Sequence, residues 1–205
     1  MAEDFRCELL SWEEAYRLAG ETAKRIKRDK YVPDAIVGIT RGGWVPSMML
    51  SDLLGVRDLL SVRVEHWGVT GRKDLKAKLK YPLQADLSGK KVLLVDDLTD
   101  TGDSIILALE EVKRHGPSEV RTATLIHKKQ SRYRPDYYAR ETDEWRWIVL
   151  PWNLTEDLCN LTGKVTGGKK MDAGAIREAL FRRFALDIDE KILKEILDMG
   201  CGEWT

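Results

Sequence analysis

The sequence predicts a doubly wound α/β fold on a parallel sheet, followed by a C-terminal helical extension. Short apolar runs at Ala35–Thr40 (AIVGIT), Lys91–Val95 (KVLLV) and Glu119–His127 alternate with helical segments. Strands buried on both faces read as such runs, and their alternation with helices implies parallel crossovers. The first two runs each end in a turn rich in Gly or Asp, at Arg41-Gly42-Gly43 and at Asp96-Asp97. Beyond Trp152 the pattern turns wholly helical, which divides the chain into 1–152 and 153–205.

Along the chain, Ser11 and Glu14 form a capping box ahead of Ala15, Leu18, Ala19, Ala23 and Ile26 at helical spacing. Pro46–Leu54 reads as a helix stopped by Gly55. Leu60–Val64 reads as a second strand. The polar stretch His66–Lys90, with Gly68, Gly71 and Pro82, reads as a long connection. Ser104–His115 reads as a helix closed by Gly116, and Trp145–Leu150 as a fifth strand. Helices are predicted at Leu154–Leu161, Ala173–Phe184 and Asp187–Met199, with a Gly/Lys-rich break at Gly163–Lys170.

Composition narrows the function. Hydrophobic residues at 43% support a core. Lys+Arg and Asp+Glu are both 34, so no global charge draws the chain to nucleic acid or to a membrane surface. No apolar run reaches membrane-spanning length, and MAEDFRCELL has no leader-like pattern. Cys7, Cys159 and Cys201 are odd in number and scattered, so reduced thiols in the cytoplasm are expected. The Lys, Arg and Glu content points weakly to a thermophile.

The chemistry concentrates in VLLVDDLTDTGDS. A buried strand delivers Asp96 and Asp97 at its carboxyl end, where ligands bind in open α/β sheets. Thr101, Gly102, Asp103 and Ser104 then lead into a helix whose first amides, with the two hydroxyls, suit a phosphate. Carboxylates beside such a cradle suit sugar hydroxyls or a divalent metal.

This stretch resembles the signature of type I phosphoribosyltransferases, which use phosphoribosyl pyrophosphate (PRPP). The resemblance implies that Asp96 and Asp97 hold the ribose hydroxyls, directly or through Mg²⁺, and that Asp100–Ser104 wrap the 5′-phosphate. Asp103 stands where the family has Gly or Lys, and is expected to offer only its backbone N–H. Thr40, Arg41 and Gly42 match the family's pyrophosphate loop. Lys128, Trp147 and Ile148 resemble the base site of 6-oxopurine enzymes: a Lys donating to O6, an aromatic stacking residue and a backbone contact. Val149 and Asn153 replace acidic residues of relatives, with Asp97 and Asn153 as the implied metal ligands. Arg72, Lys73, Lys76, Lys78 and Lys80 match a lid that closes over pyrophosphate.

The resemblance thus implies a cytoplasmic, Mg²⁺-dependent purine-salvage transferase with Asp100 as the general base for purine N7. The expected partners are PRPP, a purine base and further copies of the chain in a homodimer or larger homo-oligomer. Two alternatives stay open. Adenine is one, because some archaeal relatives with a helical C-terminal third use it. The other is a non-catalytic PRPP-sensing regulator, although the acidic stretch Asp187–Asp198 is a poor surface for DNA phosphates.

Overall fold

The computed structural model describes residues 5–66 and 77–201, in two compact units, 13–144 and 1–12 with 145–205. The boundary expected at 152/153 falls inside the second, smaller unit.

The larger unit is the α/β sheet. β2 (Ala35–Thr40), β3 (Leu59–His66), β5 (Lys91–Val95) and β7 (Glu119–Lys128) run parallel in the order β3-β2-β5-β7. Strand period fixes two faces. Ile36, Leu93 and Val95 pack against Ala23 and Ile26 of α1 (Trp12–Arg28) and Leu50 of α2 (Trp44–Leu54). Ala35, Val37, Ile39, Val92 and Leu94 pack against Ile105, Ala108 and Val112 of α3 (Asp103–Lys113). Helices therefore cover both faces, as a doubly wound sheet requires. Gly38 serves this packing, because a Cβ there would lie 2.6 Å from Ser47 Oγ of α2.

Four strands escape the apolar-run reading. β4 (Ala77–Tyr81) lies inside the expected connection, antiparallel to β3, and takes up Lys78 and Lys80. Lys80 Nζ donates to Glu65 at 2.9 Å, while Arg72, Lys73 and Lys76 lie outside the described residues. β6 (Leu98–Thr99) continues β5 along one edge of β7, and β8 (Tyr137–Thr142) pairs with the other edge. The neighbour of β7 is thus β8, not the expected fifth strand. The fourth is β1 (Cys7–Leu9), which pairs in parallel with β9 (Trp147–Val149) as a separate two-stranded sheet in the smaller unit.

The rest of the smaller unit is helical: α4 (Leu154–Thr166), α5 (Ala173–Phe184) and α6 (Glu190–Met199). α4 runs one turn further than the sequence suggested, through Gly163–Thr166, and stops where Gly167 takes φ 57°. Asp172 and Asp189 cap α5 and α6 with their carboxylates. Leu158, Leu161, Ile176, Leu180, Phe184, Leu193 and Ile196 form its core with Phe5, Cys7 and Val149.

The expectation of three reduced thiols is corrected here. Cys159 and Cys201 form a disulfide, with Cα atoms 5.3 Å apart across a separation of 42 residues. Only the return of the chain after α6 toward α4 brings them together, which sequence spacing could not show. Cys7 is free and buried, and burial with the nearby Asp157 pushes its thiol up to about 12, so it is a poor exchange partner. A bridge closing a loop of this length contributes about 2–4 kcal/mol. Cys201→Ser, or reductant, which leaves the already free Cys7 unchanged, is expected to lower the thermal melt of the helical unit. A melt indifferent to reductant would show that packing alone holds the last helix.

Candidate active site

Two loops meet at the carboxyl ends of β2 and β5, which are adjacent and parallel. The loop after β2 is Thr40-Arg41-Gly42-Gly43, with a cis peptide between Thr40 and Arg41. The loop after β5 begins with Asp96 and Asp97. Both glycines are needed for the approach. A Cβ on Gly42 would lie 2.7 Å from Asp97 Cγ, and one on Gly43 2.6 Å from Val95 O and 2.8 Å from Asp96 Cα. The Arg-Gly-Gly pattern, weak as a motif, is here a steric requirement.

The acidic pair is electrostatically tense. Asp96 is buried, and its Oδ1 accepts from the backbone N–H of Asp97 at 3.0 Å. Asp97 Oδ1 accepts from the N–H of Leu98 at 2.7 Å. Burial first, then the neighbouring Asp97 charge, raises the Asp96 carboxyl well above the usual carboxylate range. Ribose hydroxyls, or a divalent cation, would relieve that repulsion. Among the described residues no group of three His, Cys, Asp or Glu forms a metal cage. The pair itself offers the one or two carboxylates through which Mg²⁺ is commonly held beside substrate oxygens.

Downstream, the chain passes through β6 to Asp100-Thr101-Gly102-Asp103-Ser104 and enters α3. Gly102 takes φ 90°, and its Cβ would lie 2.8 Å from Ser131 Oγ and from Tyr133 Cβ. No side chain caps α3 at that position. The Thr101 hydroxyl accepts from the Asp103 N–H at 3.3 Å and donates to the Asp103 carboxylate at 3.1 Å. The amide and hydroxyl expected to cradle a phosphate thus face one another.

The segment after β7 braces this loop, and sequence reasoning missed it. The Arg132 N–H donates to Thr101 O at 3.0 Å, and its guanidinium pairs with the Asp103 carboxylate. The Asp103 charge, unusual beside a phosphate site, therefore has its own counterion. Gln130 Nε2 donates to Asp100 Oδ1 at 3.2 Å. Lys128, with a side chain only 2% exposed, places Nζ 3.1 Å from Asp100 Oδ2. The run KKQSRYR shows basic character but not which carboxylates its members face.

Trp147, Ile148 and Asn153 belong to the smaller unit. Trp147 is half-buried on β9 and donates its indole N–H to Asp157 at 2.9 Å. Ile148 is buried, and Asn153 precedes α4 without capping it through its side chain.

A strand-end acidic pair, a close-packed Gly loop and a helix start at the carboxyl edge of one sheet have the layout of a sugar-phosphate transferase site. The family is shown by comparison: the phosphoribosyl transferase domain matches residues 7–157, and the chain belongs to that family. It is 35% identical over 154 residues to the xanthine-guanine phosphoribosyltransferase of Cereibacter sphaeroides, covering 71% of this chain and 86% of that one. The corresponding protein of a Ruegeria species is 33% identical over 157 residues, covering 71% and 84%. The crystal structure of a purine phosphoribosyltransferase from Pyrococcus horikoshii Ot3 superposes with TM-score 0.63 at 34% identity. It covers 73% of this chain and 94% of that one.

The tension at Asp96 makes a stability prediction. Its raised carboxyl favours the protonated form in the folded chain, so stability is lost as pH rises through the folded value. Asp96→Asn keeps the acceptor for the Asp97 N–H and removes the charge. The melting temperature should rise by about 2–4 °C at pH 8, for about 1 kcal/mol relieved, and by less at pH 5. PRPP binding, read by calorimetry, should weaken. A fall in melting temperature at both pH values would mean that the charge is needed for folding.

Proposed function

We propose that the chain transfers ribose 5-phosphate from PRPP to a 6-oxopurine, releasing pyrophosphate, as a cytoplasmic salvage enzyme. The Lys128–Asp100 pair carries this reading. An ammonium and a carboxylate 3.1 Å apart set a donor beside an acceptor. A 6-oxopurine protonated at N7 offers the complementary edge, an O6 acceptor beside an N7–H donor. Adenine would turn its N6 amino donor toward the Lys128 ammonium. The names of the relatives in Cereibacter and Ruegeria point the same way.

In the reaction, purine N9 bonds to C1′ as the bond from C1′ to pyrophosphate breaks. Asp100 accepts the N7 proton, and Gln130 fixes the other carboxylate oxygen. Thr101, Gly102, Asp103 and Ser104 hold the 5′-phosphate through helix-start amides and hydroxyls. Thr40, Arg41 and Gly42 hold the pyrophosphate, while Asp96 and Asp97 orient the ribose hydroxyls. Asp97, with Asn153 as a second candidate ligand, would hold Mg²⁺, which would supply positive charge beside the leaving pyrophosphate. Trp147 stacks on the base and Ile148 meets its edge through the backbone. A homodimer or larger homo-oligomer belongs to the same proposal, and sedimentation reads it.

A cytoplasmic location and a disulfide are compatible in a thermophile, where intracellular disulfides are frequent. No helix among the described residues is long and apolar enough to cross a membrane.

The test is a panel of adenine, hypoxanthine, guanine and xanthine with PRPP and Mg²⁺. Hypoxanthine or guanine should exceed adenine by about tenfold or more in kcat/KM, since a buried polar mismatch costs about 1–3 kcal/mol. Lys128→Ala should narrow the gap mainly by weakening the oxopurine. Preference for adenine would mean that Lys128 does not address the base edge. PRPP binding without turnover of any purine would favour the regulator.

A further inference from the structure

We propose that Asp157 is a positioning residue that fixes the plane of Trp147 for stacking on the purine. The proposal rests on the reading of Trp147 as the stacking residue and adds what holds it. The indole is constrained at three places, all in the smaller unit. Its backbone lies in β9, opposite Cys7 of β1, and its N–H donates to Arg6 O at 2.9 Å. The side chain packs, partly buried, against the apolar core of the unit. The indole N–H donates to Asp157 Oδ1 at 2.9 Å.

Asp157 is an unusual residue to find there. It is 6% exposed, in the first turn of α4, on the side of the helix that faces the apolar core. Burying a carboxylate is costly unless its oxygens are used. The helix start favours a negative charge, which offsets part of that cost. A Trp needed only for packing would bury its N–H against any acceptor, or leave it in water at a half-buried position. A charged acceptor gives a shorter and more directional bond. It leaves the indole little freedom to turn about its side-chain torsions, so the stacking face is set before the base arrives. Preorganisation of this kind raises affinity by removing the ordering cost from the binding step. The helical extension acquires a function thereby, since α4 carries the acid and the Cys159–Cys201 bridge joins α4 to the segment after α6.

The variants are Asp157→Leu, Asp157→Asn, Trp147→Phe, Trp147→Ala and the Asp157→Leu/Trp147→Phe double. Guanine KM is measured at saturating PRPP, PRPP KM at saturating guanine, and melting temperature in parallel. Trp147→Phe keeps a stacking ring and removes the N–H. It should raise guanine KM about fivefold, the equivalent of one net hydrogen bond, with PRPP KM within about twofold of wild type. Asp157→Leu should raise guanine KM at least as much, and the double variant should be no worse than Asp157→Leu, in which the indole tether is already lost. Asp157→Asn should fall between wild type and Asp157→Leu, since the amide oxygen accepts the indole N–H without the charge. Equal losses in Asp157→Asn and Asp157→Leu, additive losses in the double, or a matching rise in PRPP KM would overturn the proposal. If Asp157→Leu does not fold, Trp147→Phe decides: a wild-type guanine KM sinks the tether. Trp147→Ala separates the two readings. A large loss there with none in Trp147→Phe removes the tether alone, whereas no loss in Trp147→Ala removes the stacking role and the proposal with it.

Discussion

The site depends on one close approach, that of Gly42 and Gly43 to Asp97 and Asp96. β2 and β5 are parallel neighbours in register from Ala35 with Val92 to Gly38 with Val95, so their following loops leave side by side. Any side chain at Gly43 would strike the backbone of Val95, Ile39 or Asp96, and any at Gly42 the Asp97 carboxylate. Backbone cannot yield as the end of a flexible side chain can, so this packing fixes the distance between anion loop and acidic pair. That proximity also accounts for the raised Asp96 carboxyl. Burial and the neighbouring Asp97 charge both work against the Asp96 carboxylate, and a bound cation or hydroxyl donor there would offset them.

The second level of organisation is a set of counterions drawn from the end of β7. Lys128 and Gln130 occupy the two oxygens of Asp100, and Arg132 takes the Asp103 carboxylate. Each acidic group of the phosphate loop therefore has a partner from one contiguous segment. Ser131 and Tyr133 complete the arrangement by packing where Gly102 has no side chain. The loop is held by tertiary contacts as much as by its own turn geometry. The Asp103 departure from the family pattern is accommodated because Arg132 stands opposite it. Arg132 is largely exposed while Asp103 is mostly covered, so the pair sets a solvated guanidinium against a carboxylate held in the loop.

What the sequence made legible follows from how local each signal is. VLLVDDLTDTGDS contains its strand, turn and helix start in one stretch, so its chemistry could be read without knowing the sheet. The Ala173–Phe184 helix was likewise readable within its own stretch, and the Asp172 cap emerged with the structure. β8 was not, because YYARET shows neither an apolar run nor a clean alternation of apolar and polar residues. β1 spans three residues and exists only because β9 pairs with it. Trp145–Leu150 was correctly extended, but nothing in its residues says which sheet it joins. The partners of Asp100, Asp103 and Trp147, and the Cys159–Cys201 bridge, are facts of packing between distant segments.

The smaller unit shows why a helical tail and a short strand pair belong in one body. β1 and β9 alone give two three-residue strands, too little to hold a half-buried Trp in one orientation. The three helices supply the missing apolar surface, as Cys7 and Val149 from the strands and Phe5 just ahead of β1 pack among Leu158, Leu180, Phe184 and Leu193. Phe5 lies against Phe184, with ring centroids 4.9 Å apart. With a core this small, each tie counts for more, and the disulfide joins the first helix to the residue after the last. Loss of the last helix would expose that core and loosen α4. Through Asp157, a change at α4 reaches the indole of Trp147 by one hydrogen bond.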